Sequence, residues 1–135
     1  MTQEEKQLLL KDLCARLPYG VRCHYADKEE HTDMRLHRGN FHDIAIECVR
    51  PYLRPMSSIT EEESKTIANI SNKGKGFEED EDGWIRCDSI HTKWGVWPDG
   101  CAKLLDYLNS IHVDYRGLIE KGLALEAPED MYKTN

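Results

Sequence analysis

A chain of 135 residues, 39% apolar and 32% charged, can build one folded domain but not two ordinary ones. Its net charge of −7, with lysines and arginines scattered rather than clustered, argues against direct binding of nucleic acid. No apolar run approaches the ~20 residues that cross a bilayer, so no membrane association is expected. "MTQEEKQLLLKD" is acidic before it is apolar, unlike a secretory leader, and a cytoplasmic location is the expectation.

Taken in chain order, Thr2 and Glu5 have capping-box spacing and predict a helix to about Leu17. Leu9, Leu10, Leu13 and Leu17 give it an apolar face, and Pro18 and Gly20 end it. "GVRCHYA" alternates Val21, Cys23 and Tyr25 against Arg22 and His24, the pattern of a half-buried strand. "TDMRLH" predicts a second strand. "RGN" (Arg38–Asn40) predicts a turn into "FHDIAIECV", where Ile44, Ile46 and Cys48 alternate as a third strand of an antiparallel meander. "PYLRP" reads as a connector, because Pro51 and Pro55 oppose both a helix and a central strand. Thr60 and Glu63 form a second capping box for a short helix to Ile70. A polar, glycine-rich loop follows over residues 71–83, then a strand in "WIRCDSIHTKWGVW". A helix over Asp99–Ile111 buries Cys101, Leu104, Leu105, Leu108 and Ile111. Residues 112–135 form an irregular tail with a helical turn near Tyr115–Ile119. These elements predict a single α+β domain over residues 1–135. Its antiparallel sheet of three to five strands is packed by an N-terminal and a C-terminal helix.

The stretch "EEDEDGWI" begins like a calcium loop. Glu78, Asp80 and Asp82 take positions 1, 3 and 5 in that pattern, Gly83 the turn and Ile85 the apolar position. Arg86 and Ser89 then occupy positions 9 and 12, where oxygen ligands and a bidentate Glu belong. The pattern is incomplete, and an acidic turn before a strand is the better reading. Five cysteines (14, 23, 48, 87 and 101) contain no C-x-x-C pair and read as reduced thiols. A zinc site would need Cys and His brought together from distant segments. Cys87 and His91 share a strand face but sit about 13 Å apart, too far to act as nucleophile and base. Phosphate-loop, dinucleotide, nucleophile-elbow and zinc-protease motifs are all missing, so no catalytic residue and no cofactor is assigned. Trp84, Trp94 and Trp97 read first as core. Trp94 and Trp97 flank a bend at Gly95 and are candidates for a partner surface.

Three segments carry a resemblance: Leu8–Cys23, Arg50–Glu63 with "PYLRPMSS", and Tyr107–Tyr132 with "DYRGLIEKGLALEAP". In order and spelling they resemble a group of small uncharacterised proteins of gut anaerobic bacteria, often encoded in phage-like or other mobile elements. The resemblance implies such an origin and assigns no activity to any residue. Within these segments Tyr52, Arg54, Tyr115 and Arg116 have the composition of a partner-binding patch. The leading expectation is a non-enzymatic interaction module with a protein partner. The alternative is a small enzyme or metal-dependent domain whose His and Cys residues are gathered by the fold.

Overall fold

The computed structural model of the protein describes residues 1–42, 44–71 and 98–132. The acidic loop with Glu78, Asp80 and Asp82, the strand expected from Trp84, the Cys87–His91 pair, Trp94 and Trp97 lie outside those residues.

Thr2 starts the first helix, α1 (Gln3–Arg16), by the predicted capping box. Its hydroxyl accepts from the Glu5 N–H at 3.0 Å, and the Glu5 carboxylate accepts from the Thr2 N–H at 2.9 Å. The buried stripe of α1 is Leu9, Asp12, Leu13 and Arg16, spaced i, i+3, i+4 and i+7. Leu10, expected on that face, is 44% exposed. Two charged residues take the place that an all-leucine reading gave to apolar ones. A 3-10 turn, Leu17–Tyr19, closes on Gly20, whose φ of 66° lies in the left-handed region that glycine adopts without strain.

The chain then makes β1 (Arg22–Ala26) and β2 (His31–Arg35), paired antiparallel as expected. "RGN" is not a simple turn. Arg38–Phe41 makes one helical turn, α2, with His37 as its cap. The third strand is also displaced from its expected place. Ile46–Cys48 is a 3-10 turn, and β3 runs Val49–Leu53, through the segment read as a connector. Ile44 and Ile46 still pack on the core, which is why their alternation imitates a strand.

Pro51 sits inside β3 although β3 has neighbours on both sides, because those neighbours pair with different parts of it. β1 faces Val49–Pro51, and β4 (Leu125–Glu126) faces Tyr52 and Leu53. The Leu53 carbonyl accepts from Ala127 N–H on the β4 side. By strand alternation Pro51 turns its nitrogen to that same side, ahead of the first β4 residue, where no N–H is needed.

The sheet order is β2-β1-β3-β4. The α+β class and the strand number are as predicted, but β4 runs parallel to β3, so the sheet is mixed rather than wholly antiparallel. α1 covers the inner face through Leu9 and Leu13, against Val21, Cys23, Val49 and Leu53. Burying a leucine fully contributes roughly 2 kcal/mol. Thr60 and Glu63 cap α3 (Glu61–Ser71) reciprocally, as predicted. α3 packs with α4 (Pro98–Ser110) in a second cluster, where Ile59, Ile67, Leu104 and Leu108 meet Val113 and Tyr115. The tail turns through 115–122 and adds β4 to the sheet. Among the described residues no helix is long and apolar enough to cross a membrane.

Candidate interaction face

Strand alternation sorts the sheet into two chemically different faces. Directly opposed residues share a face. Cys23 opposes Met34 and Pro51, and Tyr25 opposes Thr32 and Val49; this is the face toward the core. On the other face Arg22 opposes Arg35, His24 opposes both Asp33 and Arg50, and Ala26 opposes His31. Tyr52 follows on β3. Arg22, Arg35, Arg50 and His31 are exposed, with His24 and Tyr52 half-buried between them.

Among the described residues Asp33 is the single carboxylate of this face, and its neighbours hold it. His24 Nδ1 lies 2.7 Å from Asp33 Oδ1, and Tyr52 Oη donates to the same oxygen at 2.8 Å. These hydrogen bonds, His24's first, keep the Asp33 carboxyl below its ordinary range. The His24 ring packs edge-on to Tyr52 and lies 5.7 Å from the ring of His31. Arg22, Arg35 and Arg50 make no ion pair among the described residues. Arg22 and Arg35 stand directly across the β1–β2 pair, where like charges destabilise a sheet.

The predicted Tyr/Arg patch does not form one surface. Tyr52 belongs to the open face. Arg54 is turned inward, with Nη1 and Nη2 donating in a fork to Glu63 at 2.7 and 2.6 Å and further bonds to Ser58. Tyr115 is 4% exposed, which corrects its expected place on a partner surface. Arg116 keeps 14% of its side chain exposed and lies over the Tyr115 ring at 4.7 Å. Both are drawn in by a charge cluster that joins α1 to the tail.

That cluster centres on Asp12 and Arg16, whose side chains are fully buried. Arg16 Nε donates to Asp12 Oδ2 at 2.9 Å, and Nη2 donates to the Val113 carbonyl at 2.6 Å. The Arg16 guanidinium also lies 5.2 Å from the Tyr115 ring centre, and the Tyr115 hydroxyl donates to Asn109. Arg116 Nε faces Asp12 Oδ1 at 3.5 Å, an ion pair that lacks hydrogen-bond geometry. Burial pushes the Asp12 carboxyl up against the pull of Arg16 and Arg116.

Two further residues fasten the tail. Asp114 accepts from the N–H groups of Leu118 and Ile119 and so caps the turn that follows it. The Tyr132 hydroxyl donates to the Tyr52 carbonyl at 2.7 Å and accepts from Arg22 N–H at 2.9 Å. Its ring stacks on His112, with centroids 4.0 Å apart. His112 is a non-glycine residue at φ 60°, and burial, helped by Arg16, pushes its imidazole down to about 4.

Among the described residues no group of three or more His, Cys, Asp or Glu side chains converges to hold a metal ion. Cys23 is buried, its thiol pushed up to about 12, while Cys14 is exposed and free. The three arginines of the open face were not singled out in the sequence. Their signal was their position: Arg22 falls on the polar side of the alternation in "GVRCHYA". Comparison with protein-family models, with curated proteins and with solved structures finds no match.

Proposed function

We propose that this chain is a non-enzymatic, cytoplasmic protein-interaction module of phage or mobile-element origin, and that the open sheet face holds an acidic protein partner. Charge segregation carries the reading. In a chain of net charge −7 the open face has three arginines and two histidines against one aspartate, which is itself hydrogen-bonded. The unfavourable Arg22–Arg35 pairing is relieved when an anionic surface lies across it. Tyr52 and the histidine rings add flat contact area among the charges. The origin rests on the resemblance of the three segments named above.

A protein patch fits better than nucleic acid. An extended polyanion meets the negative charge of the whole chain, whereas a compact acidic patch meets the open face within about one Debye length, ~8 Å. The test is capture from a nuclease-treated lysate of the natural host by the tagged chain, beside a tag-only control. One stoichiometric protein partner, released as salt is raised, supports the reading. Capture that disappears with nuclease treatment, or no protein above control, contradicts it.

The small-enzyme alternative has one observation in its favour. Asp33 orients the His24 ring through Nδ1, as a carboxylate orients a general base. A His24→Ala variant that still captures the partner removes that alternative from the face.

A further inference from the structure

Where β2 ends and β1 begins, a half-open cavity of about 470 Å³ lies between the C-terminal end of α1 and the corner after β2. This is within the ~300–1,000 Å³ of small-molecule sites. Leu17, Pro18 and Leu36 supply an apolar wall, and Arg35, His37 and Arg38 supply the charged and polar one. Among the described residues no carboxylate lines it.

The polar wall has room made for it. Arg35 lies against Gly20: a side chain at Gly20 would run into the Arg35 guanidinium, so the missing Cβ makes room for it. His37 accepts the Gly39 N–H on Nδ1 at 2.9 Å, which places the proton of the neutral ring on Nε2. Arg35 and Arg38 have no ion-pair partner among the described residues. Two unneutralised guanidinium groups beside an apolar wall suit a ligand with an anionic head and an apolar body.

We propose that this cavity binds a small organic anion. Its carboxylate or phosphate head is held by Arg35 and Arg38, and its apolar body lies against Leu17 and Pro18, above the buried Leu36. The cavity shares Arg35 with the open face, but Arg38 lines the cavity alone and Arg22 and Arg50 belong to the face alone, so failure of one reading is distinguishable from failure of the other.

The test is an amide NMR titration of the full chain with octanoate, octyl phosphate and octanol, the anions below their micelle concentrations and octanol below its solubility limit. The three share an apolar body and differ in the head. The expected result is saturable shifts at Gly20, Leu36 and Arg38 for at least one anion. Octanol should bind about tenfold or more weakly, the worth of one charge-assisted hydrogen bond. The anion that saturates first identifies the head group. In an Arg35→Gln/Arg38→Gln variant with an otherwise unchanged spectrum, anion affinity should fall to that of octanol. Octanol binding as tightly as the anions, unchanged affinity in the variant, or no shift at these amides would overturn the proposal. Both arginines are exposed, so the variant keeps the core intact.

Discussion

Arg16 and Arg22 stand a short way apart in the chain and live in opposite environments. Arg16 is fully buried, locked to Asp12, the Val113 carbonyl and the Tyr115 ring. Arg22 is exposed, lies opposite another arginine and makes no ion pair among the described residues. Two of the three Arg16 guanidinium nitrogens, Nε and Nη2, are hydrogen-bonded while Nη1 has no hydrogen-bond partner among the described residues, so the charge of Asp12 and the Val113 carbonyl make the interior cluster a fastening between α1 and the tail. A surface guanidinium beside another, with no ion pair among the described residues, stabilises the fold little. The contrast separates charges that hold the structure from charges free to meet a partner, and it can be tested residue by residue.

The largest effect belongs to the interior. Asp12→Ala leaves Arg16 buried without its carboxylate and should cost about 3–5 kcal/mol in urea unfolding. An Asp12→Leu/Arg16→Met double variant should lose less than either single change. A double variant as unstable as Asp12→Ala would mean that packing, not charge matching, governs the site.

Next comes pH. The unfolded chain keeps His112 near its ordinary 6.5, while the fold holds it at about 4. Between those values the unfolded state binds more protons, so stability falls as pH drops through the window. The loss is roughly 3 kcal/mol by the bottom of it, at about 1.4 kcal/mol per pKa unit. His112→Asn should flatten this slope while fitting the left-handed backbone, and urea midpoints taken across the window measure it.

Gly20→Ala should cost about 1–2 kcal/mol, because an alanine must adopt a positive φ and also displace Arg35. A thermal melt reads it, and an unchanged midpoint would show that the Gly20 turn relaxes freely. The smallest stability effect lies on the open face. Arg35→Glu turns a like-charge cross-strand pair into an opposite one and should stabilise by roughly 0.2–1 kcal/mol, while weakening capture of an acidic partner.

Much of the fold was legible because local chemistry dictated it. Thr2 with Glu5 and Thr60 with Glu63 fix two helix starts, and the alternation around Cys23 fixes β1. The displaced third strand was not legible. Two prolines argue against a strand at Val49–Leu53, and only the offset between β1 and β4 makes Pro51 acceptable there. Tyr115 and Arg116 read as surface residues because the charges that draw them inward lie far away in sequence, on α1. The Asp12–Arg16 pair was visible as an i, i+4 spacing beside Leu9 and Leu13, but nothing local says that it is buried. The open face needed the strand register: three arginines scattered along the chain become neighbours only when β1, β2 and β3 align.

The most direct test is a pair of assays on one variant, Arg22→Glu/Arg50→Glu: its urea midpoint and its capture of protein from host lysate. Stability should stay within about 0.5 kcal/mol of the parent, as for surface changes generally, and the captured partner should be lost. A collapsed midpoint would make these arginines structural, and a partner retained undiminished would place the interaction elsewhere; either result contradicts the account.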